Sequence, residues 1–264
     1  MTEQVISDWK SLNDILEQCI HKDFQEILNR FSFRGQSNNA WKLESSISRI
    51  VKGDEISEQK AIHYEKQGLI EFKSLFHLTN EKLVFNSDMG DEALFIDMQH
   101  YSCPTRFIDW SRSPFVALYF AVNDAFENDS ALYIWDYFVY LRNVKQLHPG
   151  FKDLPVLSLF EFKEFDHVQI ALPTRKNERM YRQQGLFSIS NNILKPHCEV
   201  ISDIGRELST DSGLFKITIP YSMKIETLDR LRYMNITASS LFPSLDGIGR
   251  EIKESLLLRK WRKK

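Results

Sequence analysis

The feature that most constrains the fold is an apolar helix that begins directly after a dense run of polar residues. Residues 115–122, FVALYFAV, are apolar on every side of a helix, a pattern typical of a helix that is buried all round. Ser113 and Pro114 come immediately before it. A serine hydroxyl can cap free N–H groups, and proline fits the first helical turn because a backbone N–H there has no partner within the helix. The sequence therefore predicts a buried helix that starts at Ser113–Pro114.

The polar run before this helix is a candidate site. Residues 99–113 include His100, Arg106, Asp109 and Arg112. Polar groups that lead into a buried segment need partners or a ligand. A helix N-terminus attracts anions, and two arginines beside it would strengthen an anion site. The alternative is a structural network in which Arg106, Asp109 and His100 satisfy one another, and sequence spacing alone does not make His100 and Asp109 an acid–base pair.

A second candidate site is the short stretch FRGQ, residues 33–36. Arg34 offers a planar fork of donors that suits a phosphate or a carboxylate. Gly35 would let the backbone approach a ligand closely. The alternative is an arginine that donates to loop carbonyls, and these four residues leave both interpretations open.

A third candidate is RMYRQQGLFS, residues 179–188, in which polar residues lead into an apolar strand. Gln184 can orient a sugar or a water molecule, but an amide cannot act as a general base. Glu178 is the nearest carboxylate. The alternative is a solvated polar run that only leads into the strand.

The periodicity of apolar residues predicts an α+β fold in which helices dominate the first half and strands the second. Helical spacing covers the first 30 residues and residues 55–76, 91–101, 223–234 and 245–261, and strand-like segments cover residues 131–140, 185–190 and 214–220. No repeat, linker or domain boundary stands out. We therefore expect one domain with a mixed, mostly antiparallel sheet flanked by helices.

Composition narrows the function classes. The 264-residue chain has a formal net charge of −2, so no overall field draws it onto nucleic acid or anionic lipid. Its three cysteines lie far apart without a CxxC pair, which predicts neither a disulfide framework nor a thiol zinc site. No run of residues has metal-ligand spacing. The N-terminus lacks a secretory signal pattern and no segment has the length of a membrane span, so we expect a cytoplasmic protein without membrane contact.

The candidate sites together resemble the FRG domain family. The residues that carry the resemblance are Phe33-Arg34-Gly35-Gln36, Trp41, Leu43, Gln99-His100-Tyr101, Pro104-Thr105-Arg106, Asp109-Trp110-Ser111, Ser113-Pro114, Ala117 to Ala121, Arg179, Gln184-Gly185, Phe187 and residues 241–248. The resemblance implies an FRG domain over residues 31–264, preceded by a helical lead-in over residues 1–30. It also implies a bacterial or phage setting, with conflict or defence as a role.

A more distant similarity is to ADP-ribosyltransferases of the arginine-serine-glutamate class. It implies that NAD is the substrate, that Arg34 grips the pyrophosphate and that Ser111 holds the nicotinamide ribose. Gln184 or Glu178 would position the ribose hydroxyls, although the class has a glutamate where this chain has Gln183-Gln184. The similarity also implies an ADP-ribosyltransferase-like fold with a nucleotide cleft, whose further residues are Gly35, His100, Arg106 and Ser113.

Two other functions stay open at this stage. One is a non-catalytic module that senses a nucleotide through the same arginine-rich pocket. The other is a nuclease that uses His100 and Asp109, although a two-metal nuclease would need a carboxylate cluster that the sequence lacks. The acceptor of a transferred group, whether protein or nucleic acid, and a regulatory partner are left open as well.

Overall fold

The computed structural model of the chain describes residues 1–25, 30–52, 56–76, 78, 91–173 and 177–261. The strands of this part are β1 (Thr2–Val5), β2 (Phe31–Gln36), β3 (Phe107–Ser111), β4 (Ser130–Asp136), β5 (Val168–Ala171), β6 (Gly185–Ser190) and β7 (Leu214–Ile219). The helices are α1 (Trp9–Gln25), α2 (Ser46–Val51), α3 (Glu58–Phe76), α4 (Asp91–His100), α5 (Pro114–Val122), α6 (Tyr137–Leu147), α7 (Val156–Leu159), α8 (Glu178–Arg182), α9 (His197–Glu207), α10 (Tyr221–Tyr233), α11 (Ala238–Leu241) and α12 (Leu245–Trp261).

All seven strands form one sheet in the order β1-β7-β4-β2-β3-β6-β5. The β1–β7 pair is parallel, and every other pair is antiparallel. The predicted α+β fold with a mixed, mostly antiparallel sheet flanked by helices is therefore confirmed. The strands of the candidate sites, β2 and β3, lie side by side near the middle of the sheet.

One face of the sheet is covered by two separate groups of helices. Over β2, β4 and β7, the apolar residues pack against α1, α5, α10 and α12. Over β3, β5 and β6, the residues on the same face, such as Phe107 and Phe187, pack against α3, α4 and α7. The boundary between the two groups therefore runs between β2 and β3. Within the described residues, no helix combines the length and the apolar character needed to cross a membrane.

The opposite face is covered by α6 and α9. Its core consists largely of aromatic side chains on neighbouring strands, including Trp110, Tyr133 and Trp135. The rings of Trp110 and Trp135 lie 5.5 Å apart, and the ring of Tyr140 from α6 lies 5.5 Å from Trp135. Such aromatic contacts, with large apolar areas removed from water, hold this layer onto the sheet.

The prediction for the first 30 residues is only partly correct. Residues 2–5 form β1, which extends the sheet by pairing with β7, and the helix spans Trp9–Gln25. Leu12 and Leu16 of that helix are fully buried in the core beneath β2. Residues 26–29 lie outside the described part. The domain boundary at residue 31 remains a prediction, but this N-terminal segment packs as part of the same core.

The predicted strand over residues 131–140 is also wrong at its C-terminal end. The strand β4 ends at Asp136, whose carboxylate Oδ1 accepts the backbone N–H of Val139 and caps α6. From there the buried residues Tyr137, Tyr140 and Val144 follow helical spacing. The aromatic content of the segment favours a strand, but the cap and the change of period end it.

Two buried histidines make the stability of the fold sensitive to acid. The hydroxyls of Tyr140 and Ser188 lie 3.0 and 2.9 Å from the Nδ1 atoms of His167 and His197. Burial lowers the pKa of each histidine to about 3. The unfolded chain takes up protons at these residues below about pH 6.5, whereas the folded chain does not.

We therefore expect the free energy of unfolding to fall on acidification, by up to about 1.4 kcal/mol per pH unit for each histidine between about pH 6 and pH 4. Urea unfolding at a series of pH values measures this slope. The variant His197→Gln should show a slope smaller by about one proton. Equal slopes in the variant and the wild type would show that His197 does not contribute.

Candidate functional site

The candidate site lies where β2 and β3 separate. These strands pair at one position, Phe33 with Ser111. Beyond that pair the guanidinium of Arg34 connects them, because its Nη1 donates to the backbone carbonyl of Asp109 at 2.5 Å. An arginine side chain thus takes the place of the next backbone hydrogen bonds of the ladder. This is the alternative role, donation to a main-chain carbonyl, that the FRGQ stretch left open.

A hydrogen-bonded cluster surrounds the side chain of Asp109. The amide of Gln99 donates to Asp109 Oδ2 at 2.7 Å, and the Thr105 hydroxyl donates to Gln99 Oε1 at 2.5 Å. Arg34 Nη1 lies 3.9 Å from the same carboxylate oxygen. Arg179 is a second cation near this carboxylate. We call Arg34, Gln99, Thr105, Asp109 and Arg179 the Asp109 cluster.

Asp109 is open to solvent although it lies in the middle of the sheet. Its side chain is 58% exposed, while its neighbours along β3 are buried. The cause is the position of Asp109 at the boundary between the two helix groups. On one side, Gly35 of β2 packs under α5. On the other side, Phe187, which pairs with Asp109 on β6, packs under α4. The fold therefore leaves a gap over this carboxylate.

The two arginines of the cluster are only partly solvated. Burial lowers the pKa of both the Arg34 and the Arg179 guanidinium, and the nearby Asp109 carboxylate acts in the opposite direction. The Nε atom of Arg34 is buried and has no hydrogen-bond partner. Cations with incomplete solvation and unused donors favour an additional anionic partner.

Arg106 lies away from the Asp109 cluster, so its predicted place in an open cleft is wrong. Its side chain is 1% exposed and donates to both carboxylate oxygens of Glu65 on α3. Its guanidinium also lies 4.1 Å from the ring centroid of Phe160. A guanidinium enclosed in this way joins α3 to the start of β3 and presents no donor to a ligand at the surface.

Gly35 serves packing against the protein itself. A Cβ atom at this position would lie 1.9 Å from the Ala117 carbonyl oxygen and 2.5 Å from the Ala121 nitrogen, both in the backbone of α5. The close approach that the sequence predicts at Gly35 is therefore present, but the partner is the buried helix and not a ligand.

The serines near the start of α5 are engaged locally. Ser111 donates its hydroxyl to the Gln183 carbonyl at 2.8 Å and accepts the Ser113 N–H at 3.0 Å. Ser113 caps α5 by accepting the Val116 N–H, with Pro114 in the first turn. The predicted helix start is confirmed. Both hydroxyls stabilise the junction of β3, α5 and β6, while the ribose contact implied for Ser111 and the cofactor contact implied for Ser113 remain predictions.

The register brings the three predicted clusters to adjacent strands. Ser111 pairs with Phe33 on β2 and with Gly185 on β6, so Arg34 and Gln184 each lie one residue from a partner of Ser111. Gln184 is exposed, and its backbone has a φ of +48°, a value uncommon for a residue other than glycine. Its carbonyl accepts the N–H of Arg112 at 3.0 Å. The turn before β6 is thereby fixed close to Ser111.

Glu178 and His100 lie on helices and not on the strands that meet at Ser111. Glu178 is exposed on α8 and forms an ion pair with Arg182 at 2.7 Å. His100 ends α4, where its ring meets the Tyr101 ring edge-on with centroids 4.9 Å apart. In the described ranges, no three histidine, cysteine or carboxylate side chains come together as a set that could bind a metal ion.

The C-terminal segment borders the cluster through Phe242. The guanidinium carbons of Arg179 and Arg250 lie 4.8 and 4.7 Å from the centroid of this ring. Gln183 Nε2 donates to the Leu241 carbonyl, which fixes α8 against α11. Phe242 thus contacts the Arg179 guanidinium, and a ring next to a guanidinium restricts its rotamers.

The sequence missed two members of the cluster, Gln99 and Thr105, and placed Arg179 only in a general polar run. Gln99 lies one residue before His100, and no spacing distinguishes which of the two faces Asp109. Asp109 itself is expected to pair with an arginine, and the 3.9 Å approach to Arg34 agrees with this expectation. Two surface depressions lie elsewhere, one along α12 and one bordered by Lys42, Lys52 and Lys195.

The comparison with known families agrees with the motifs around this site. A family model described as FRG domain matches residues 29–130, a range that includes β2, β3 and four residues of the Asp109 cluster. No curated protein and no solved structure shows a significant match to the chain. The expected resemblance to the FRG domain family is thereby confirmed for residues 29–130, the region that the family model matches.

Proposed function

We propose that the chain binds a dinucleotide of the NAD type at the Asp109 cluster. Arg34 and Arg179 contact the diphosphate, and the Asp109 carboxylate accepts hydrogen bonds from ribose hydroxyls. The observation that carries this proposal is an exposed carboxylate flanked by two partly buried arginines at the gap between the helix groups. The family match by itself names neither a ligand nor a reaction, so the dinucleotide is part of this proposal.

The combination of charges favours a diphosphate joined to a sugar over inorganic phosphate. Arginine forks pair well with phosphate oxygens, and Arg34 retains a buried Nε–H without a partner. An isolated anion would also meet the Asp109 carboxylate and be repelled by it. A ribose hydroxyl, in contrast, can donate a hydrogen bond to that carboxylate, so a sugar next to the diphosphate makes the contact with Asp109 favourable. Gln99, which donates to Asp109 Oδ2, holds the carboxylate in one orientation.

The same geometry favours cleavage of the nicotinamide–ribose bond as a second candidate activity. In that reaction the C1′–N bond breaks, and its electron pair leaves with neutral nicotinamide. Asp109 would stabilise the positive charge that develops on the ribose. Water or another acceptor then forms the new C1′–O bond and loses its proton to solvent. The observation in favour is that the carboxylate hydrogen-bonded within the cluster is that of Asp109, whereas the Glu178 carboxylate pairs with Arg182 on α8.

Calorimetric titration with NAD, ADP-ribose and inorganic phosphate tests the binding proposal. We expect wild-type protein to bind NAD and ADP-ribose, and Arg34→Ala to lose at least about 100-fold in affinity, because charge-assisted hydrogen bonds contribute about 1.5–3 kcal/mol each. Arg206, which is exposed on α9 and pairs with Asp203, provides the matched control. Arg206→Ala should bind as the wild type does.

The Arg34→Ala variant also loses the contact to the Asp109 carbonyl, so its stability must be measured beside its affinity. We expect a loss of about 0.5–1.5 kcal/mol, the value of one hydrogen bond, with the fold retained. Equal affinity for ADP-ribose in the folded variant and the wild type would contradict the proposal. Release of nicotinamide by the wild type, lost in Asp109→Asn, would identify the second activity, whereas saturable binding without release identifies a sensor.

A further inference from the structure

The outer surface of α12 carries a continuous apolar stripe. Leu245, Ile248, Ile252 and Leu256 are 86, 50, 58 and 59% exposed. They follow one another at intervals of three, four and four residues, which places them on one side of a helix. Contiguous exposed apolar patches of this kind mark interaction surfaces, because water contact with them is unfavourable.

The other side of α12 is fixed to the domain, so the stripe faces outward. Glu254 accepts a hydrogen bond from the Tyr119 hydroxyl of α5 at 2.5 Å, and Leu258 lies in the core. Glu251 accepts hydrogen bonds from Thr237 and Ser239 at the start of α11. A shallow groove along Ile248, Ile252 and Leu256 borders this contact. The helix therefore presents a rigid apolar surface.

The stripe follows the helical repeat over three turns and contains one heptad step, from Leu245 to Ile252, so it can pack along a second helix. Leu245, Ile252 and Arg259 repeat every seven residues, and Ile248 lies between the first two. The charges at the two ends of the helix differ: Asp246, which forms an exposed ion pair with Arg250, lies in the first turn, and Arg259 and Lys260 lie in the last turn. A second copy of α12 in antiparallel orientation would bring the acidic end of each helix against the basic end of the other. A parallel copy would oppose like charges.

We propose that two copies of the chain associate through an antiparallel α12–α12 contact centred on Ile252. Ile252 meets its own counterpart at the two-fold axis, and Ile248 packs against Leu256 of the second copy. The aliphatic stem of Arg259 covers Leu245 of the second copy, where its guanidinium approaches the exposed Asp246 carboxylate that also pairs with Arg250. Such an isologous contact satisfies the closed symmetry that most homodimers have.

This dimer is expected to be concentration-dependent. The contact involves only one helix from each copy, so we expect its total buried area to be near the lower limit for stable interfaces, which is about 1,200 Å². We therefore expect a dissociation constant in the micromolar range, observable by sedimentation between about 5 and 500 µM protein. Ile252→Glu places two carboxylates at the axis and should abolish the dimer. Ile70→Glu, at an equally exposed isoleucine of α3, should leave it unchanged.

Cross-linking tests the antiparallel geometry separately from the oligomeric state. When Ile248→Cys and Leu256→Cys chains are mixed, a short bifunctional maleimide should link one variant rapidly to the other, whereas a parallel pair would link Ile248→Cys chains to each other. Ile70→Cys should react no faster than the wild type, whose Cys19 and Cys103 set the background. A monomer over the whole concentration range would overturn the proposal, as would a dimer that persists in Ile252→Glu. Selective binding of the stripe to lipid vesicles by a monomeric chain would overturn it too.

Discussion

Replacement of Glu65 by alanine is expected to destabilise the protein by about 3–5 kcal/mol, because it leaves the Arg106 guanidinium buried without its counter-ion. Both side chains are 1% exposed. Arg106 donates from Nε and Nη2 to the Glu65 carboxylate, and its backbone N–H donates to the same group. No solvent can replace these contacts in the closed interior between α3 and β3.

The free energy of unfolding, from urea titration, measures this effect. Glu58→Ala on the same helix is the matched control: Glu58 also pairs with a cation, Lys163, but both side chains are exposed. Its loss should stay below about 1 kcal/mol. The double replacement Glu65→Leu with Arg106→Met should recover most of the stability lost in Glu65→Ala. Equal costs for Glu65→Ala and Glu58→Ala would contradict the assignment of Arg106 to a buried pair.

Replacement of Gly35 by alanine is expected to cost more than about 3 kcal/mol or to prevent folding, because the added methyl group has no space. Its Cβ would overlap the Ala117 carbonyl oxygen at 1.9 Å and approach the Ala121 nitrogen at 2.5 Å. These are backbone atoms of a buried helix, so a side-chain rotation cannot relieve the overlap. The strand β2 and α5 would have to move apart across the main core.

Gly249 gives the matched control for this substitution. It lies in α12, and a Cβ atom there would meet nothing within 4 Å. Gly249→Ala should therefore stabilise the protein by up to about 1 kcal/mol, as alanine is the better helix former. Thermal or urea unfolding compares the two variants. A Gly35→Ala protein as stable as the wild type would show that α5 and β2 do not pack as closely as described.

The elements that the sequence predicts well are those with a strong local signal. The α5 start follows from Ser113 and Pro114, and α12 and β6 have the predicted bounds. The strand β2 is missed because FRGQ is short and polar, and its glycine suggests a loop. Its burial depends on partners in α5 and β4, about 80 and 100 residues away along the chain, that a local window does not contain.

The sequence predicts which residue types form the candidate site, but not which arginine lies beside Asp109. The sequence alone does not distinguish which of Arg34, Arg106 and Arg112 faces Asp109. Arg106 does not reach Asp109 because it forms a buried ion pair with Glu65, which lies 41 residues before it in the sequence. Arg34 then remains as the arginine beside Asp109. Gln99 belongs to the cluster because α4 ends at this point of the sheet, which is a property of the packing of α4 and not of its sequence.

The most direct test of the proposed function is a crystal structure of the chain with ADP-ribose bound. We expect the diphosphate to lie within about 3 Å of the Arg34 and Arg179 guanidinium groups, the distance of a charge-assisted hydrogen bond, with a ribose hydroxyl at a similar distance from Asp109. This result would establish the Asp109 cluster as the nucleotide site. ADP-ribose bound elsewhere, with Arg34 still engaged only with Asp109, would contradict the central claim.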